Sequence, residues 1–123
     1  MHRSVSSLGH DALVECTVAE MQRQGMTHIR ADHIAGFLQP EIIGNFIPDA
    51  TARFNGSLCI AECESAAGFT QAHTAAQWRA FHNHISHVGG WFIVVAAKTD
   101  EAAARTLLQQ TIGSAQNILF WTF

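Results

Sequence analysis

The 123-residue sequence predicts an α/β fold: one mixed β-sheet with helices on both faces. Three observations predict it. Apolar residues recur at helical spacing in some segments and form short β-type runs in others, and the two kinds alternate along the chain. An Asn55-Gly56 pair separates two of the β-type runs, a strong hairpin signal. The segment WFIVVAAK, residues 91–98, is almost continuously apolar, as a strand covered on both faces must be.

Taken in order, the first helix is expected over residues 8–24. Leu13, Val14, Thr17, Val18 and Met21 form its buried stripe, and Gly25 is a natural stop. MTHIRAD, residues 26–32, follows as a short strand. A loop broken by Gly36, Pro40 and Gly44 leads to the hairpin FIPDATARFNGSLCIAECE. After the SAAGFTQA loop, Thr74 and Gln77 have capping-box spacing and open a second helix. Trp78, Phe81, Ile85 and Val88 face the core from it, and Gly89-Gly90 end it. The apolar strand comes next. TDEAAARTLLQQTIG is a third helix, capped by Thr99 or Asp100 and stopped by Gly113, and NILFWTF is a closing strand. The order is α-β-β-β-α-β-α-β. Helical connections make the later strands parallel, whereas the hairpin is antiparallel.

Composition narrows the function classes. An apolar fraction of 48% supplies a core, and residues 1–123 fit one domain. The opening MHRSVSSLGHDALVEC lacks the apolar centre of a signal peptide, and no apolar run reaches membrane-spanning length. Cys16, Cys59 and Cys63 show no CxxC spacing and sit in apolar patterns, as reduced core residues of a cytoplasmic protein do. A net charge of −3 with seven Lys and Arg argues against strong nonspecific nucleic-acid binding, which needs a basic surface. No glycine-rich phosphate loop is present: GGWF lies between a helix and a strand, the wrong order for one. Ser57 has no locally placed base, which leaves a serine hydrolase without support.

The hairpin carries the chemistry. A two-residue turn at Asn55-Gly56 pairs Phe54 with Ser57, Thr51 with Ile60, and therefore Asp49 with Glu62. Directly opposed residues lie about 5 Å apart at Cβ, and Glu64 follows Glu62 on the same side because strand side chains alternate. Three acids thus converge at the end of the hairpin away from its turn. Opposed like charges are destabilising, so either one acid holds a proton with a raised pKa or a cation sits between them. Oxygen ligands suit Mg²⁺ or Mn²⁺, and the Cys63 carbonyl is a further candidate oxygen. A slipped register, or acids on a solvated sheet edge, is the structural alternative.

Pro48-Asp49, a hairpin and Glu62-Cys63-Glu64 in this αβββαβ order resemble the PD-(D/E)XK nuclease superfamily, the restriction-endonuclease-like fold, with an added αβ unit. GFLQPEIIGNFIPDATAR looks like the loop and strand that precede the catalytic hairpin there. The resemblance implies that Asp49 and Glu62 ligate one or two metal ions. It implies that Glu15 on the first helix supports a second metal or its water shell. It also implies that Gln77, in QWRAF, orients a water or a DNA phosphate. The chain departs from the family at Glu64, where a lysine is usual; a carboxylate binds metal or accepts a proton but cannot stabilise an anionic transition state. Arg53, Arg79, Lys98 and Arg30 are candidate replacement cations, and His73 is a candidate base near pH 7. The expectation is a small Mg²⁺- or Mn²⁺-dependent nuclease-like protein acting on DNA. Its alternative is a catalytically silent module for interaction or oligomerisation. A hydrolase of smaller phosphoesters is a third reading.

Two features remain. His82, His84 and His87 lie on the second helix, where His84 and His87 are neighbours at i, i+3; a solvated face is the simpler reading than a metal site. NILFWTF ends on an apolar strand, and an exposed edge there favours a homodimer.

Overall fold

The computed structural model describes residues 9–69 and 71–123. The first helix, α1 (His10–Arg23), starts after Gly9, so the expected start at Leu8 and the segment before it lie outside the described residues. Strand β1 (Thr27–Ala31) is followed by a long loop and by the hairpin β2 (Ala50–Phe54) and β3 (Ser57–Cys63). A single 3-10 turn at Ala66–Gly68 leads into α2 (Ala72–Val88). Then come β4 (Trp91–Ala96), α3 (Glu101–Thr111) and β5 (Ile118–Thr122). The sheet is five-stranded and mixed, in the order β1-β2-β3-β4-β5. Strand β2 runs antiparallel to both neighbours, while β3, β4 and β5 are mutually parallel.

Two apolar cores flank this sheet. Leu13, Val14, Val18 and Met21 of α1 pack on Ala61, Cys63, Ile93 and Val95. On the other face Trp78, Phe81 and Ile85 of α2, with half-buried Leu107 and Leu108 of α3, pack on Ile60, Phe92 and Val94. Strand β4 feeds alternate residues into both cores, which is why its sequence is continuously apolar. Thr17, the polar member of the α1 stripe, spends its hydroxyl on the Leu13 carbonyl at 2.7 Å. The three cysteines are free, Cys59 and Cys63 buried and Cys16 half-buried.

The hairpin register is the one the turn requires, Phe54 opposite Ser57 and Ala50 opposite Ala61. Asn55 and Gly56 both have positive φ, 51° and 83°, matching the twist of the flanking strands. The structure departs from the sequence expectation at the start of α2, at the end of β4 and at Val88. Helix α2 begins at Ala72 with Gln71 as its N-cap and no side-chain cap, so Thr74 and Gln77 lie inside the helix and do not open it. Strand β4 stops at Ala96 because Lys98 enters a 3-10 turn. Val88 is exposed, one turn beyond the last buried residue, Ile85. Among the described residues no helix is long and apolar enough to cross a membrane.

Candidate functional site

The end of the sheet away from the Asn55-Gly56 turn gathers the acids. Asp49 directly precedes β2, and the register places it opposite Glu62 of β3. The Asp49 backbone N–H donates to Glu62 Oε2 at 3.2 Å, and the Cys63 N–H donates to Asp49 Oδ2 at 2.8 Å. The same register across β1 sets Asp32 opposite Asp49, and the Asp32 N–H donates to the Asp49 carbonyl at 2.9 Å. Asp32, Asp49 and Glu62 therefore form a row across three strands. Asp32 Oδ1 is a buried acceptor without a hydrogen bond.

Helix α1 contributes His10, whose Nε2 lies 2.9 Å from Asp49 Oδ1. The Asp49 side chain is only 13% exposed and that of His10 is 47% exposed. The hydrogen bond to Asp49 pushes the His10 pKa up to about 9 despite the opposing effect of burial. Burial pushes the Asp49 carboxyl up. Hydrogen bonds from Glu62, His10 and the Cys63 backbone outweigh it and hold the group below its ordinary value. Burial, and then the hydrogen bond to Asp49 and its charge, raise Glu62 well above the carboxylate range. The cluster thus pushes its members apart: Glu62 is driven toward its neutral form, Asp49 toward its carboxylate and His10 toward its imidazolium. Without a bound cation, the opposed acids favour retaining a proton on Glu62.

Glu64 sits just past β3 and is half-buried. Thr74 Oγ1 donates to Glu64 Oε2 at 3.2 Å. Burial raises the Glu64 pKa, with Thr74 opposing and Asp49 adding to the rise. Gly68 lies so close to this carboxylate that a Cβ there would overlap it. The turn after β3 thus closes over Glu64.

The other expected site residues fall at various distances from this cluster. Cys63 points its thiol into the α1 core, 3.3 Å from Thr17 Oγ1, and meets Asp49 through its backbone N–H. Glu15 is exposed five residues beyond His10, about 140° around the helix, and makes no hydrogen bond to the acids. Gln77 is half-buried one turn beyond Thr74; Thr74 makes the contact with Glu64. His73 packs its ring edge-on to Phe46 at 5.5 Å. His87 bonds the Asn83 carbonyl and His82 the Gln116 carbonyl, so these two α2 histidines are used singly. His10 and Asp32 went unnoticed in the sequence. Asp32 is placed by the β1–β2 pairing, which no tight turn fixes, and His10 had no local signal, since its partner is 39 residues away.

The donors of the acidic row are hard carboxylate oxygens, chemically suited to Mg²⁺ or Mn²⁺, and a cation there would offset the crowding that raises Glu62. Among the described residues no three His, Cys, Asp or Glu side chains are already grouped as a metal site. Asp49 and Glu62 are the residues that could hold such an ion, whose remaining ligands would have to be water. No protein-family model matches the chain, and neither the curated proteins nor the solved structures contain a match.

Proposed function

We propose that the chain is a nuclease-like domain of the PD-(D/E)XK, restriction-endonuclease-like type, acting on DNA phosphodiester bonds with Mg²⁺ or Mn²⁺ held by Asp49 and Glu62. The observation that carries the reading is the Asp49–Glu62 pair, joined through the Asp49 N–H at the end of a hairpin. The α1-β1-β2-β3-α2-β4 order around it, with β3 and β4 parallel, agrees with the superfamily resemblance. Glu64 is the third oxygen donor at this end. A bound divalent ion lowers the pKa of its water and offsets phosphate charge. The chain's own contribution is to pre-arrange the carboxylates, to bury Glu62 and to bring the cationic His10 alongside. His10 stands at the acidic end as a positive charge where the family's lysine is missing.

The test is nicking of supercoiled plasmid, with branched and single-stranded DNA in parallel, in Mg²⁺ or Mn²⁺. Asp49→Ala and Glu62→Ala are each expected to reduce the rate at least 100-fold. Cleavage that survives both changes removes the assignment.

A second reading has its own support. Both Asp49 oxygens are already engaged, by His10 and by the Cys63 N–H, and β5 forms one edge of the sheet. A catalytically silent module would use that closed network structurally and pair through β5 as a homodimer. It predicts no cleavage in any metal and a dimer by light scattering.

A further inference from the structure

A cavity of about 590 Å³ lies on the β1–β2 part of the sheet, beside α2 and the loop residues Glu41 to Ile43. Its lining includes Arg30, Arg53, His28 and His84, with Glu41 as the acid. Two of the seven Lys and Arg in a chain of net charge −3 thus meet at one hollow. Glu41 does little to cancel them: its side chain is 83% exposed and stands 4.0 Å from Arg30. The arginines are otherwise held by carbonyls, Arg30 by that of Gln39 at 3.4 Å and Arg53 by that of Gly56 at 3.3 Å. Among the described residues neither arginine forms an ion pair with any other carboxylate.

A backbone irregularity makes this convergence possible. Thr27 pairs with Arg53 and Arg30 with Thr51, so β1 uses three steps where β2 uses two. The bulge puts Thr27 and Arg30 on one face of the sheet, and Arg30 becomes the diagonal neighbour of Arg53, roughly 7–8 Å away along the backbone. His28, inside the bulge, has φ of 53°, a conformation that costs about 1–3 kcal/mol in a residue other than glycine. Half-buried Ile43 and Leu58 and exposed Ile42 supply apolar wall.

We infer that this cavity binds the phosphate of a nucleotide, with Arg30 and Arg53 as its anion-binding pair and the apolar wall as the seat of the base. Guanidinium groups are suited to phosphate oxygens, and the volume lies in the usual range for small-ligand sites. The nucleotide is free or part of a single strand; the phosphate chemistry is the same. The Thr51 end of the cavity is paired with Ile60, two residues from Glu62, so a strand seated here runs toward the acidic row. The inference concerns binding alone and is independent of cleavage.

The experiment is fluorescence anisotropy of a labelled ten-nucleotide oligothymidylate in 50 mM salt with EDTA, followed by competition with AMP. The wild type is expected to bind, with Arg30→Ala/Arg53→Ala at least tenfold weaker and Arg53→Gln about threefold weaker at unchanged circular dichroism. The salt slope should fall by about 1.4 in the double variant, near 0.7 for each lost phosphate contact. Displacement by AMP at similar concentrations assigns the site to a free nucleotide, and binding without displacement assigns it to a strand; both support the inference. Direct AMP binding by calorimetry covers the case in which the oligonucleotide does not bind. Equal affinity of wild type and both variants, or no binding of either probe, overturns it.

Discussion

Asp49 connects the chemistry of the site to stability. Asp49→Ala leaves the Cys63 N–H and His10 without their acceptor and should cost about 1–3 kcal/mol, read by urea unfolding. The pH dependence has three parts. His10 is raised from 6.5, so its contribution is complete below 6.5 and is lost as pH rises through about 9. Glu62 is raised above 4.5. The unfolded chain therefore ionises it first, and stability falls as pH rises beyond 4.5. Asp49 is lowered from 3.8, so its contribution is present above 3.8 and lost as pH falls through its depressed value. In EDTA, unfolding at pH 5, 7 and 9 should show wild type losing stability with rising pH and Glu62→Gln losing less. Equal slopes would contradict a buried Glu62 whose pKa is raised on folding. His10 was not legible in the sequence because the contact that gives it meaning is between α1 and the start of β2. Asp49 and Glu62 were legible because a two-residue turn turns pairing into arithmetic.

At the scale of elements, the hairpin is the device that brings the acids together, and its turn is the part most open to test. Gly56→Ala forces an alanine to φ of 83° and should cost about 1 kcal/mol, measured as a lower urea midpoint. Gly90 is more constrained: its φ is 119°, and a Cβ there would overlap the Leu58 carbonyl, where β4 starts alongside β3. Gly90→Ala should cost about 2–4 kcal/mol, and an unchanged midpoint would show that β3 and β4 do not approach as described. The helix start at Ala72 was hidden by a coincidence of residue types. Thr74 and Gln77 have capping spacing, but Thr74 is 2% exposed and its hydroxyl serves Glu64. The bulge at His28 was likewise invisible, since THIRA reads as a regular strand until its pairing with β2 is known.

Across the whole molecule, one sheet separates two cores, and β4 contributes Ile93 and Val95 to one and Phe92 and Val94 to the other. Removing apolar contacts from either core should therefore unfold both together. Phe81→Ala is expected to cost about 3–5 kcal/mol, with tryptophan fluorescence and far-ultraviolet circular dichroism falling in one coincident transition; two separated transitions would contradict a shared sheet. The α/β class was readable from the alternation of helical stripes and β-type runs, because periodicity is local. The placement of cations was not, because Arg30 and Arg53 come together only through the pairing of β1 with β2. At this scale the acidic row sits in a chain of net charge −3, so the proposed function would need a bound cation to offset the site's charge. The most direct measurement is a calorimetric Mn²⁺ titration of the wild type beside Asp49→Asn, Glu62→Gln and Glu64→Ala. The account predicts saturable binding by the wild type, at least tenfold weaker in the Asp49 and Glu62 variants, with Glu64→Ala between. No binding by the wild type, or equal binding by all four proteins, would contradict it.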